Sequence, residues 1–201
     1  MEIITLTYKS TNYFLVRSAK GWLLVDAGWP GTLSQFLQLL SQNNIQLSDI
    51  NYLVITHFHP DHAGLAQNLK EYGIRLLLHS CQTPYVGKLN AFFKKNPGAQ
   101  FKDITFDHTI TLSGEESRSF LKEIGIEGVM LPTPGHSDDS ISLIIDHYCA
   151  FTGDLPALYL AEAYDDPVVS DSWDSLMENR VRMIYPAHGN VYEIPEQYLY
   201  L

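Results

Sequence analysis

The first apolar runs of the chain, IITLTY (3–8), NYFLVRS (12–18) and WLLVDAG (22–28), are rich in β-branched and aromatic residues. Short polar or glycine-containing turns separate them, which predicts three consecutive strands. Leu33, Phe36, Leu37, Leu39 and Leu40 then recur at the spacing of one helix face. NYLVIT (51–56) reads as a buried strand, AGLAQNLKEYG (63–73) as a helix ending at glycine, and IRLLLH (74–79) as another strand. A helix over 84–95 opens at Pro84, whereas 101–154 shows short strand-like runs, among them GVMLPT, SISLIID and CAFTGD. A last helix near 170–179 leads into RMIYPAHG (182–189). Mixed α and β segments in this order predict layered sheets covered by helices. No repeat, low-complexity tract or linker interrupts the pattern, so residues 1–201 read as a single domain.

Composition narrows the class. With 201 residues, 45% hydrophobic and 18% charged, the chain can bury a substantial core. Thirteen Lys+Arg against 23 Asp+Glu leave a net charge of −10. That balance argues against a nucleic-acid partner, which requires a basic face, and against an anionic membrane surface. No apolar run approaches the roughly 18 residues of a membrane span, and MEIITLTYKS has no signal-peptide pattern. Cys81 and Cys149 lie far apart, as packed side chains rather than a disulfide framework or a CxxC motif. The expectation is a cytoplasmic protein acting on a small molecule, with no nucleic-acid or membrane partner; its oligomeric state has no signature here.

The chemistry concentrates in HFHPDH (57–62), which follows directly from the strand NYLVIT. In an extended stretch residues two apart face the same way, so His57 and His59 can converge on one ion. Pro60 keeps the chain open at His59 until a helix begins near Asp61 or His62, and Gly64 lets that helix pack closely. Imidazoles with a carboxylate suit zinc, with iron or manganese as alternatives. With eight histidines in the chain, such a string arises by chance in on the order of one shuffled sequence in a thousand. His136 in TPGHS, Asp154 in FTGD and His188 in YPAHG each end a strand-like run beside a glycine, a placement they share with the cluster.

In these motifs, taken in order with Asp26 of VDAG, the chain resembles the metallo-β-lactamase-fold superfamily of metal-dependent hydrolases. The resemblance spans about 26 to 189. It implies an α/β (α+β) protein with a four-layer αββα sandwich and a two-metal site at one edge. His57, His59 and His136 would hold the first ion, Asp61, His62 and His188 the second, with Asp154 bridging. Asp26 matches a position that orients a ligand or loop. The implied activity is a hydroxide bound between two divalent ions, zinc first, cleaving a small carbonyl or phosphate ester, lactone or thioester. Asp61 would orient the nucleophile or carry its proton, and Tyr159 is a candidate oxyanion donor or leaving-group acid.

Two other readings stand beside this one: a mononuclear iron sulfur-oxidising dioxygenase using a subset such as His57, His136 and Asp154, and a non-catalytic metal-binding protein. Within the superfamily, the short stretch after His188 argues against the helical C-terminal domain of glyoxalase II-like thioesterases. The missing leader argues against an antibiotic-degrading β-lactamase, the acidic surface against a nuclease, and His59, where Glu is usual, against a flavodiiron site. The chain departs from the pattern at SDDSIS, where Asp139 stands in place of a usual glycine and Asp138–Asp139 add negative charge. Segments 81–100 and 155–172 are expected to cover a pocket, with Tyr85, Phe92, Phe93, Tyr159 and Tyr164 as its lining. Lys88, Lys94 and Lys95 read as a solvated helix face, and His79, His108 and His147 as structural or surface residues.

Overall fold

The computed structural model describes residues 1–146, 148–160 and 165–198. One sheet holds β1 (Ile3–Tyr8), β2 (Thr11–Ser18), β3 (Gly21–Val25), β4 (Ile50–Val54), β5 (Arg75–His79) and β6 (Thr109–Leu112), in that spatial order. Tight turns make β1–β2–β3 antiparallel. From β3 to β6 the strands are parallel. Parallel neighbours need crossovers. The chain supplies them with α1 (Leu33–Gln42), then α2 (Pro60–Ala63) with α3 (Ala66–Glu71), then α4 (Thr83–Lys94). The second sheet runs β11 (Tyr192–Glu193), β10 (Met183–Pro186), β9 (Cys149–Gly153), β8 (Ile141–Ile145), β7 (Gly128–Pro132), parallel only at β9–β10 among the described strands. Helix α5 (Gly114–Glu123) precedes β7, and α6 (Pro167–Glu178) lies between β9 and β10.

The pleat sorts the side chains into layers. Phe14, Val16, Leu23, Val25, Val54 and Leu77 point toward Met130, Ile141, Leu143 and Phe151 of the other sheet. Their neighbours in sequence, Tyr13, Leu15, Leu24, Leu53, Leu76 and Leu78, point outward onto Phe36, Leu40, Leu69 and Leu89 of the helices. On the far side Ile144, Ala150 and Ile184 meet Val169, Trp173 and Leu176 of α6. The architecture is therefore the expected helix–sheet–sheet–helix sandwich. Central strands covered on both faces read as unbroken apolar runs, which is why the sequence shows them so clearly. Among the described residues no helix is long and apolar enough to cross a membrane.

Two elements differ from expectation. The helix over 63–73 is broken in two, because Leu65 (φ −102°, ψ 2°) leaves helical geometry between α2 and α3. A Cβ on Gly64 would stand 2.3 Å from both the Gly28 carbonyl oxygen and the Pro30 nitrogen. Replacing Gly64 with alanine is therefore expected to lower stability by about 1–3 kcal/mol, as overpacking does; chemical denaturation of the metal-stripped protein measures it. Helix α5 occupies a stretch read as strands. Its N-terminus carries a capping box: the Ser113 hydroxyl accepts from the Glu116 N–H, and the Glu116 carboxylate accepts from the Ser113 N–H at 2.8 Å.

Candidate metal centre

The ends of β3, β4, β9 and β10, with the β7–β8 connection, deliver polar side chains to one rim between the sheets. Parallel strands that end together make such a rim, because their following loops converge. His57 is fully buried in the bend beyond β4, His59 lies in extended backbone, and Pro60 at the first position of α2 turns the chain. His57 Nε2 and His59 Nδ1 come within 3.0 Å, and His136 Nε2 lies 3.1 Å from the same His59 nitrogen. One carboxylate reaches both halves of the cluster. Asp154 Oδ2 is 3.8 Å from His57 Nε2, 3.4 Å from His136 Nε2 and 3.4 Å from His62 Nε2, while its Oδ1 is 3.4 Å from His188 Nε2. Asp61 Oδ2 lies 3.5 Å from His62 Nε2 and 3.3 Å from His188 Nε2.

These separations test whether metal ions fit. Two donor atoms each roughly 2.1 Å from an ion at a tetrahedral angle sit about 3.4 Å apart. The carboxylate–imidazole distances cluster at that value, whereas the His59 contacts are shorter. The buried His62 Nε2 and Asp154 Oδ1 have no hydrogen-bond partner among the described residues, an expensive arrangement unless something else takes their lone pairs. Three overlapping groups have donor atoms close enough to hold an ion: His57–His59–His136, His57–His62–Asp154 and Asp61–His62–His188. The seven residues singled out in the sequence thus come together, and they fit divalent cations.

The opposite ring nitrogens are held. His62 Nδ1 donates to Asp26 Oδ2 at 2.9 Å, His188 Nδ1 to the Ser10 carbonyl at 2.6 Å, and His57 Nδ1 faces Thr56 Oγ1 at 3.3 Å. Each such bond leaves the Nε2 lone pair aimed inward, the arrangement that orients metal-binding imidazoles. Burial, and then the neighbouring imidazoles His62, His59, His136 and His188, hold the His57 pKa well below its usual value, which favours the neutral ring that a metal ion requires. His62 is opposite. Burial alone would lower its pKa, but Asp26, Asp154 and Asp61 outweigh it and push it up to about 12. The carboxylates that favour a proton there favour a cation in its place. Burial raises the Asp61 pKa, but the hydrogen bond and charge of His62 prevail and bring it down to about 2.

The metallo-β-lactamase superfamily model matches residues 6–188. The chain belongs to the metallo-β-lactamase superfamily. It is 28% identical over 189 residues to the lactamase-like protein nscB of Arthroderma gypseum, covering 92% of this chain and 52% of that one. It is 29% identical over 192 residues to the atrochrysone carboxyl ACP thioesterase of Aspergillus fumigatus, covering 92% and 39%. The chain therefore spans about half or less of the length of these curated relatives. Among solved structures, an archaeal metallo-β-lactamase superfamily protein from Sulfolobus tokodaii superposes with a TM-score of 0.69 at 22% identity, over 98% of this chain and 84% of that one.

Several residues of this superfamily member were placed only loosely by sequence. Asp26 is both turn former and orienting group: its φ is +64°, and its carboxylate accepts from the Thr56 N–H at 2.8 Å and the Thr56 hydroxyl besides His62. Asp139 is buried, and its Oδ2 accepts from the Phe58 N–H at 2.7 Å, bracing the loop between His57 and His59. Its φ is not positive, so no glycine is needed there. Asp138 is exposed and accepts from the Tyr85 hydroxyl at 3.3 Å. Gly153 (φ +56°) is a true requirement, since a Cβ would stand 2.6 Å from Thr56 Oγ1.

Two clefts flank the cluster. One, about 600 Å³, runs from His59 and Asp61 to Phe58, Tyr85, Leu89 and Phe92, with Lys88 on its wall. The other, about 320 Å³, runs from His136, Asp154 and His188 to Tyr159 and Tyr192. Tyr159 is exposed and packs edge-on against Tyr192, with no described hydrogen bond to the cluster. Phe93 is not lining: it is core, stacked on Phe101 at 4.1 Å. Lys88, Lys94 and Lys95 are exposed, the solvated helix face expected; Lys88 lies over the Tyr85 ring and Lys94 pairs with Asp103. His79 is buried, with Nδ1 3.0 Å from Cys81 Sγ, and His108 turns the chain before β6 with φ +50°. Both Cys81 and Cys149 are free thiols. Tyr164 and His147 lie outside the described residues. Sequence reasoning missed Ser10, Thr11 and Asn12, whose partners lie far along the chain.

Proposed function

We propose that this chain is a metal-dependent hydrolase of activated acyl compounds, thioesters foremost, working with two divalent ions, zinc first. The observation that carries the reading is the shared carboxylate: Asp154 reaches imidazoles of both donor sets at 3.4–3.8 Å. His57, His59 and His136 would hold one ion, and Asp61, His62 and His188 the other. Ions there supply Lewis-acid polarisation of a carbonyl or phosphoryl oxygen and a water whose pKa falls toward roughly 7. The relative named as a carboxyl ACP thioesterase supports acyl-thioester chemistry. The cleft of Phe58, Tyr85, Leu89 and Phe92 offers an apolar wall for the acyl part, beside His59 and Asp61.

Asp61 keeps a defined role. With its pKa near 2 it is ionised throughout the neutral range, which suits accepting a hydrogen bond from the attacking water and fixing its direction. Tyr159 lines the second cleft, where it would meet the leaving group. Zinc-loaded protein should turn over thioesters in a panel with esters, lactones and phosphodiesters. Asp61→Asn, assayed at saturating zinc, should lower kcat by about 10²–10⁴-fold, the scale of lost positioning and proton transfer. An unchanged kcat removes Asp61 from the chemistry. Protein with two ions and no turnover on any acyl substrate overturns the hydrolase reading.

A further inference from the structure

His57 and His62 are walled in by core, but His188 is not: its side chain is 38% exposed, and it lies beyond the last β9–β10 ladder pair, Pro186↔Gly153. Something other than burial must hold it. The β1–β2 turn and the start of β2, at the opposite end of the sequence and in the other sheet, supply the contacts. Asn12, buried, donates through Nδ2 to the Pro186 carbonyl at 3.1 Å and to the Gly189 carbonyl at 2.9 Å, bracketing His188 on both sides. Its backbone N–H donates to the Ala187 carbonyl at 2.8 Å, and its Oδ1 accepts from the Thr7 hydroxyl at 2.8 Å. Both amide protons and the amide oxygen are thus engaged, and only this orientation of the amide satisfies the two carbonyls. The next residues address the ligands themselves. The Ser10 carbonyl accepts from His188 Nδ1 at 2.6 Å, and the Thr11 hydroxyl donates to Asp61 Oδ2 at 3.4 Å.

Among these contacts, the ligands touched are Asp61 and His188. Both belong to one donor set, and His57, His59 and His136 receive nothing from this turn. We propose that Ser10–Asn12 is a clamp that sets the affinity of the Asp61–His62–His188 set separately from the other, with Asn12 as its positioning residue. The clamp rests on the two-ion reading above. Its contacts also explain why a polar pair, Thr11 and Asn12, is buried at the head of a strand whose next four residues are apolar.

The test is zinc titration of metal-stripped protein against a competing chelator, with no substrate present. Wild-type protein should take up two ions. Asn12→Ala should bind the first with unchanged Kd and the second about 10–100-fold more weakly, as for other groups that orient metal ligands. Thr11→Val, which keeps the shape and removes only the hydroxyl, should weaken the second ion alone, by a smaller factor. It carries the test should Asn12→Ala fail to fold. A purely structural role would lower both affinities or only the melting temperature. Equal weakening of both ions, or no change in either variant, overturns the clamp and leaves the two-ion reading intact. Wild-type protein that takes up one ion overturns both.

Discussion

Replacing Asp154 with alanine is expected to leave a folded protein that retains at most one ion and loses at least about 10³-fold of its turnover. The expectation follows from geometry. Both oxygens of this carboxylate are used, Oδ2 toward His57, His62 and His136 and Oδ1 toward His188. Without it the two donor sets have no common member, and Asp61 is the one carboxylate left among the seven. Losing several kcal/mol of transition-state charge stabilisation corresponds to about three decades of rate. Stability of the metal-stripped protein should fall less than on loss of the fully buried Asp26, because Asp154 is partly exposed and its Oδ1 lacks a hydrogen-bond partner among the described residues. Metal analysis after purification and a thioester assay at saturating zinc read both effects. Two retained ions with full turnover would show that the carboxylate is not shared.

Asp26→Ala should do the reverse, striking the fold first. This carboxylate is buried and joins the end of β3 to the end of β4 through the Thr56 N–H and hydroxyl, while holding His62 Nδ1. Truncation strands three buried donors: the Thr56 N–H, the Thr56 hydroxyl and the His62 Nδ1–H. Breaking a buried pair by removing one partner costs about 3–5 kcal/mol. Urea unfolding of the metal-stripped variant should show a loss of that size, with zinc affinity also reduced as His62 loses its orientation. A loss under about 1 kcal/mol would mean that Thr56 and His62 find other acceptors.

Much of this was legible in the chain. His57, His59, Asp61 and His62 follow one strand within six residues, so local geometry alone brings them together, and the double apolar faces of β2 to β5 announce a covered sheet. What stayed hidden depended on distance or on thin signals. Helix α5 contributes Leu121 as its buried apolar residue, too narrow a stripe to reveal its period, although Ser113 and Glu116 carried a capping signature. Asp139 looked like a departure because a loop's backbone angle cannot be read from residue type; its side chain proved to brace Phe58 instead. Asn12 and Ser10 look like ordinary turn residues, and only the pairing of remote segments shows what they hold.

That remoteness governs how the molecule is built. Ser10 meets a residue 178 positions away and Asn12 one 177 positions away, contacts whose loop-closure entropy must be met before they return anything. During synthesis, the β1–β2 hairpin stays half satisfied until the segment some 178 positions further along has followed it. On the two-ion reading, the Asp61–His62–His188 set is complete only once β10 has formed, so its cation would be the later one captured.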